Sequence, residues 1–384
     1  MSIFAVRTRG QSSPKRCKGI KRARLSAVSE ILPPGRMPGF TAGETPAATS
    51  VRPRISCVIP TFEREEVLCD TVRMLLAQTH PAHEIIVVDQ TPAHSSTTHD
   101  RLSEWVADHR IFWLRQSEPN ASRARNAGAL AATGDFILFL DDDIRISPDF
   151  LKAYVEALRG TAAAGMSGPV LEGERRMVDR LSPKVFTSEL GWLVHFRKNY
   201  SGECETSFMM SGNVAIRRDL FLALGGMDEN YERGAHREES DFAMRFRKAG
   251  YRLRYDPRCA VHHLGQRFVP GGGARAGTEG RDFRYFHHCV GDWYFNLKFG
   301  TAQTVLPLLV ASLRHFVFNR KSVERPWRLP MALCYWLLGL PPAFVKCWRG
   351  PKLLRPGTEA GNQKRNGAAD VTRSPMRSGM FGVD

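Results

Sequence analysis

Gly134-Asp135-Phe136-Ile137-Leu138-Phe139-Leu140-Asp141-Asp142-Asp143 is the stretch on which the reading of this chain turns. Five apolar residues in a row, without alternation, describe a strand covered on both faces. Gly134 stops the Ala-rich helical segment 121–132 before it, and three carboxylates stand where the strand ends. Working upstream, Ile111-Phe112-Trp113-Leu114 reads as a strand and 102–107 as a helix. Glu84-Ile85-Ile86-Val87-Val88-Asp89 is a second apolar run ending in an acid. Before it, Val67, Leu68, Val72, Leu75 and Leu76 fall at helical spacing. The first strand is Ile55-Ser56-Cys57-Val58-Ile59, which Pro60 is expected to stop. The order β-α-β-α-β-α-β implies a parallel sheet with right-handed crossovers and helices on its faces.

Downstream the alternation loosens. Ser147-Pro148-Asp149 starts a helix, with Ser as N-cap and Pro at the first helical position. Residues 165–172 read as one strand, 213–216 as another, and 238–249 as a helix closed by Gly250. Residues 251–255 and 259–261 are strand-like, and the Gly-rich 270–280 reads as a mobile loop. These signals divide the chain into a disordered basic arm (1–53), an α/β domain (54–268), a helical extension (269–348) and a disordered basic tail (349–384). Within the domain, about 54–145 would form a nucleotide half and about 146–268 an acceptor half.

The 384 residues are 42% hydrophobic and 24% charged, ordinary for a chain with a packed core. The net charge of +16 would suit a nucleic-acid binder, but its distribution argues otherwise. Residues 1–54 carry +9 (eleven Lys/Arg against two acids) and residues 349–384 carry +4 (seven against three). The 294 residues between them keep only +3. The core also has no aromatic-basic platform of the kind that stacks bases. Eight cysteines are scattered without a C-x-x-C pair, which reads as free thiols in a reducing compartment.

Acids at the carboxyl ends of parallel strands sit where open α/β sheets bind ligands. Asp89 ends the second strand; Asp141 and Asp143 offer hard oxygens suited to a divalent ion, though a solvated acidic turn stays open as the alternative. Asn120, Ser122, Arg123, Arg125, Asn126 and Gly128 open the next helix, where N–H groups and arginines favour anions such as a diphosphate. Glu238, Glu239 and Asp241 fill the first turn of a later helix, a position that also suits plain helix-dipole capping. His262 and His263 end a strand, pointing to opposite faces, so at most one faces the site.

Together these residues resemble the family 2 glycosyltransferases of the GT-A fold, over about residues 54–265. The resemblance runs through Ser56-Cys57-Val58-Ile59-Pro60-Thr61-Phe62-Glu63-Arg64 and Ile86-Val87-Val88-Asp89. It is most specific in Ala124-Arg125-Asn126-Ala127-Gly128 followed by 134–143, which is similar to the segment ending in the family's metal-binding D-x-D motif. Ser211-Gly212-Asn213 and Gly225-Gly226-Met227-Asp228-Glu229 look like the acceptor-side loops. Glu238-Glu239-Ser240-Asp241-Phe242 with Arg245 resembles the E-D-x-D-L helix.

The resemblance implies an α/β GT-A fold with a mostly parallel, Rossmann-like sheet, flanking helices and a helical C-terminal extension. It implies an inverting, metal-dependent transferase that uses a nucleoside-diphosphate sugar and a glycan or lipid-linked hydroxyl acceptor. Pro60, Thr61, Glu63, Arg64, Asp89, Arg125, Asn126, Asp141 and Asp142 would hold the donor. Asp141, Asp143 and His263 would hold Mg²⁺ or Mn²⁺, and Gly212, Asn213, Asp228 and Asp241 would face the acceptor. Glu239, or its neighbour Glu238, would be the base. Two departures stand out: Gln90-Thr91-Pro92 replaces the family's Asp-Gly-Ser, and Glu239 replaces the second acid, usually Asp. No Q-x-x-R-W segment follows, which argues against a processive synthase. A sugar nucleotidyltransferase would open with a Gly-rich loop, absent at 60–64; an inactive membrane-bound partner is the other alternative.

Residues 329–345 hold no charge, but Pro341 and Pro342 interrupt them, and nine Lys/Arg against the single Glu324 lie between Arg314 and Arg355. That composition suits either a packed helical subdomain or peripheral attachment to an anionic membrane surface. A cytoplasmic protein on the inner face of the cell membrane is the resulting expectation.

Overall fold

The computed structural model describes residues 52–159, 163–172, 176–179, 199–206, 209–233, 236–264 and 281–355. The basic arm through residue 51, the Gly-rich 270–280 and the tail beyond Arg355 lie outside these. The alternating half folds as its sequence dictates: β1 (Ile55–Thr61), α1 (Glu66–Leu76), β2 (Glu84–Asp89), α2 (Ser96–Ala107), β3 (Phe112–Arg115), α3 (Ala121–Ala131) and β4 (Phe136–Leu140). Then come β5 (Ile144–Arg145), α4 (Phe150–Leu158), β6 (Gly165–Ser167), β7 (Val170–Glu172), β8 (Cys204–Thr206), β9 (Asn213–Arg217) and α5 (Arg218–Ala223). The expected single strand over 165–172 is two, because β6 and β7 belong to different sheets.

The large sheet has the order β3-β2-β1-β4-β9-β6, followed by β10 (Leu253–Tyr255) and β8. Strands β3, β2, β1 and β4 run parallel, while β9 is antiparallel to both β4 and β6. This is the GT-A type of α/β architecture, with a mostly parallel sheet between helices and a helical C-terminal region. Pro60 does not stop β1. Pairing with β4 covers only Ile55–Val58, so the missing N–H of Pro60 lies past that ladder. On one face of the sheet, Leu68, Val72 and Leu75 of α1 pack with Phe150, Leu151 and Tyr154 of α4. On the other face α3 lies on β1 and β2. It lies so close that a Cβ on Gly128 would stand 2.3 Å from Val58 Cγ1, which accounts for that glycine by packing rather than by anion binding.

The topology aims side chains at one end of the sheet. Parallel β1, β2 and β4 all finish there, at Thr61, Asp89 and Leu140. Antiparallel β9 begins there, with Asn213 opposite Leu140. In a second, three-stranded sheet, β11 (Val261–His263) pairs with β5 so that His263 stands opposite Ile144. Leu264 N–H then donates to the Asp143 carbonyl at 2.8 Å.

The C-terminal helices are α7 (Arg281–Phe299), α8 (Val305–Phe316), α9 (Arg320–Glu324), α10 (Leu329–Leu338) and α11 (Leu340–Arg349). The long α7 is their scaffold, joined to the domain through α6 (Glu238–Lys248). Lys298 on α7 makes the joint, its ammonium 2.8 Å from Asp228 Oδ2 and 2.6 Å from Asp241 Oδ2, with all three groups buried. Tyr294 Oη also donates to Asp228 at 2.7 Å. Burial works against ionisation of Asp228, but Lys298 and these donors hold its carboxyl below the usual range. The ordered chain reaches past α11 into the segment read as tail: Lys352 N–H donates to Asp228 Oδ1 and Leu354 N–H to the Gly225 carbonyl.

Lys298→Met would leave two buried carboxylates without their shared cation. The expected result is a loss of about 3–5 kcal/mol, the usual cost of stripping one partner from a buried ion pair. Denaturant melts of the two proteins measure it.

Candidate active site

The end of β4 sorts its three acids by alternation. Asp142 turns inward, accepting from Thr61 Oγ1 at 2.7 Å and from Arg64 Nε at 3.1 Å. Burial pushes its pKa up to about 6 against the pull of Arg64. Thr71 Oγ1 clamps the same turn by donating to the Asp142 carbonyl at 2.9 Å. The Arg64 guanidinium also reaches Asp143 Oδ2 at 3.0 Å. Asp142, Thr61 and Arg64, expected on the donor, are therefore engaged with one another inside the protein and shape the turn from beneath.

Asp141, partly exposed, and Asp143, buried, both turn toward His263. The ligand atoms of the three lie within 4.8 Å of one another. His263 Nε2 is 3.2 Å from Asp143 Oδ1 and 3.8 Å from Asp141 Oδ2. Its hydrogen bond to Asp143 raises the imidazole pKa to about 9, burial opposing and both carboxylates adding to the rise. Two carboxylates and an imidazole are a fitting donor set for a divalent cation, whose charge would take the place of that proton. His262, on the other face of β11, is exposed.

Asn120 caps α3, its Oδ1 accepting from Arg123 N–H at 3.0 Å. Arg125, at the start of the second turn, is buried, with NH2 3.8 Å from Asp141 Oδ1. Its Nε and NH1 have no hydrogen-bond partner among the described residues. A buried guanidinium with idle donors beside a cation site is set up for an anion. Asn126 is not free for that role: it exchanges hydrogen bonds with the Met227 backbone and donates to Glu229 Oε1.

The loop before β9 and the start of α6 close the other side. Gly212 lies flush against Asp141: an added Cβ would sit 2.1 Å from Asp141 Oδ2. Ser211 donates through N–H (2.9 Å) and Oγ (2.5 Å) to Glu239 Oε1, leaving Oε2 without a partner among the described residues. Glu238 lies near Arg125 and Asp141. Its surroundings and the Glu239 charge push its pKa up to about 7, although the residue keeps some solvent contact.

Three residues expected on the acceptor side are elsewhere. Asn213 is buried, accepting from Tyr154 Oη and donating to the Pro169 and Cys259 carbonyls. Asp241 accepts from Arg245, Lys298 and Tyr231. Asp228 belongs to the same buried hub.

Asp89 is also buried. It accepts from Thr91 N–H (2.8 Å), His94 Nε2 (2.8 Å), Trp113 Nε1 (2.9 Å) and Arg115 NH1 (2.6 Å). Although burial opposes it, the hydrogen bonds from His94 and Thr91 hold its pKa below the usual range. Pro60, half-exposed, is the last residue but one of β1. Glu63 is exposed with φ +50°, its N–H donating to Thr91 Oγ1. Ser211 as the anchor of Glu239, and the His94, Trp113 and Arg115 ring about Asp89, escape the sequence reading. Partners so far apart along the chain leave no local pattern.

Residues 56–225 match the model described as Glycosyl transferase family 2. A glucosyl-dolichyl phosphate glucuronosyltransferase of Haloferax volcanii is 28% identical over 221 residues, 55% of this chain and 69% of that protein. The succinoglycan biosynthesis protein ExoM of Rhizobium meliloti is 30% identical over 209 residues, 53% of this chain and 64% of that protein. The crystal structure of GalNAc-T7 with UDP, GalNAc and Mn²⁺ shares the fold, with a TM-score of 0.51 at 16% identity over 73% of this chain and 54% of that one.

Gly212→Ala tests the geometry directly. The new methyl group must push the Asp141 carboxylate aside, a small shift for a flexible side chain. Calorimetric titration with Mn²⁺ should show affinity reduced at least tenfold, with the melting temperature nearly unchanged.

Proposed function

We propose, from the premise that residues 56–225 form a family 2 glycosyltransferase domain, that the donor of this glycosyltransferase is a nucleoside-diphosphate sugar and that transfer inverts the anomeric centre. One observation carries the reading. The buried Arg125 guanidinium, with two idle nitrogens, stands beside the Asp141, Asp143 and His263 cluster, with Glu238 near Arg125 and Asp141. That charge arrangement suits an anion of high charge together with a divalent cation.

Asp141, Asp143 and His263 would hold Mg²⁺ or Mn²⁺, whose charge offsets that of the diphosphate leaving group; the relative GalNAc-T7 is complexed with UDP and Mn²⁺. Arg125 binds the diphosphate and receives the negative charge that grows as the sugar–phosphate bond breaks. The nucleotide lies over the 60–64 loop, with Asp89 acting beneath it as a positioning residue for Trp113 and Arg115.

Glu239 is the base. Ser211 fixes its Oε1, and Oε2 takes the proton from the acceptor hydroxyl as that oxygen attacks the anomeric carbon opposite the leaving group. A new sugar–oxygen bond forms, the sugar–phosphate bond breaks, and the nucleoside diphosphate leaves. Gly212, with no side chain, lets the Asp141 carboxylate keep its place, and the acceptor is a glycan or a lipid-linked saccharide. The reaction takes place on the cytoplasmic face of a membrane, to which the C-terminal helices attach peripherally.

Glu239→Gln should keep donor affinity and lose transfer by about 10²–10⁴-fold, while Glu238→Gln keeps measurable transfer. Nucleotide titrations and rates of both variants are the check. The reverse pattern would move the base to Glu238, whose pKa of about 7 would then appear as the acid limb of the rate profile.

A further inference from the structure

Helix α10 continues through a single turn residue into α11, so that Pro326–Arg349 forms one helical stretch of 24 residues. It is the one described helix long and apolar enough, by length and composition, to cross a membrane. Its burial argues for a different placement. Leu333, Leu337, Leu338, Phe344, Val345 and Trp348 are exposed. Their spacing of three, four and seven puts them along one side. At about 1.5 Å per residue this stripe is roughly 22 Å long.

The opposite side is fastened down. Ala332, Trp336 and Ala343 are buried, Trp336 Nε1 donates to Ser312 Oγ on α8 at 2.8 Å, and Trp293 Nε1 of α7 donates to the Trp336 carbonyl at 2.6 Å. A helix held this way along its length offers lipid one face only. A spanning helix would shed those contacts.

We infer that the stripe lies in the plane of an anionic bilayer, with its outer face sunk among the lipids and its inner face on α7. Two observations choose a bilayer over a protein partner. Of the nine Lys/Arg between Arg314 and Arg355, Lys346 and Lys352 turn to Glu232 and Arg320 pairs with Glu324, but Arg325 and Arg349 stand exposed at the two ends of the stretch, where they complement anionic headgroups. The stripe is also bracketed by tryptophans, Trp327 at 73% and Trp348 at 81% exposure, the residue type that favours the headgroup boundary.

The attachment reaches the proposed active site through α7. Lys298 holds Asp241 of α6, and Arg237, the residue before α6, is 2.8 Å from Asp292. Docking the stripe therefore sets the position of Glu238 and Glu239 relative to the lipid surface. This inference rests on the proposed membrane location and not on the chemistry of transfer.

The test is co-sedimentation of the full chain with vesicles of phosphatidylcholine alone or mixed equally with phosphatidylglycerol, at low and high salt. Binding should require phosphatidylglycerol and fall at high salt. Brominated lipid should quench tryptophan fluorescence, and alkaline carbonate should release the protein. Phe344→Ala with Trp348→Ala should weaken partitioning by about a hundredfold, roughly tenfold for each lost aromatic. Because both side chains point outward, the melting temperature should hold.

Equal sedimentation of parent and double variant overturns the inference. So does a concentration-dependent dimer that the double variant abolishes in the absence of vesicle binding, and so does resistance to carbonate, the mark of a span. Nucleotide titration of the same preparations reads the transfer chemistry separately: a parent chain that binds donor but no vesicles overturns only the docking.

Discussion

Arg64 is what allows three consecutive carboxylates to occupy one strand end. Two carboxylates about 4 Å apart repel by roughly 4 kcal/mol at an effective dielectric near 20. The Arg64 guanidinium, buried and in contact with both Asp142 and Asp143, offsets that repulsion from below. Thr61 and Thr71 fix the same turn through the Asp142 side chain and carbonyl. With Asp142 held by Thr61 and Arg64, Asp141 and the buried Asp143 meet His263, which β11 delivers to the same point. The Asp141, Asp143 and His263 cluster thus rests on a buried guanidinium that braces Asp142 and Asp143 together.

A second buried cation does comparable work on the other side. Lys298 joins Asp228, which follows the Gly225-Gly226 turn, to Asp241 in the first turn of α6. Buried charges need partners, and this pair finds its partner on the C-terminal helix α7. The helical region is therefore locked to the helix that carries Glu238 and Glu239. What happens at the outer face of α10 and α11 is carried to that helix by packed, hydrogen-bonded structure.

Much of this was legible in the sequence. The apolar runs at 55–59, 84–88 and 136–140 have no alternation, so they announce buried parallel strands, and the acids that follow mark the ligand end. Asp141 and Asp143 were readable as spaced carboxylates at a strand end, and alternation allowed one of His262 and His263 to join them; the three do stand together as a candidate metal group. Roles that depend on distant partners were not readable. Asp228, Asp241 and Asn213 look like site residues along the chain, yet Lys298, Tyr154 and backbone carbonyls satisfy them in the interior. Asp89 likewise sits under four donors, two of them from β3, and nothing near it in sequence announces them. The apolar 329–345 segment showed its length but not which side would be covered, because that is decided by Trp293 and Ser312 on other helices.

The central claim is that the acidic turn, Arg125 and a divalent cation together hold a nucleoside-diphosphate sugar. It is tested most directly by following nucleoside diphosphate release from a panel of such sugars, with and without Mn²⁺ or Mg²⁺, in the parent protein and in Asp143→Ala. Release should need the metal, disappear on chelation and be absent in the variant. Release that ignores both chelator and substitution, or exchange of pyrophosphate into the nucleotide sugar instead, would contradict it.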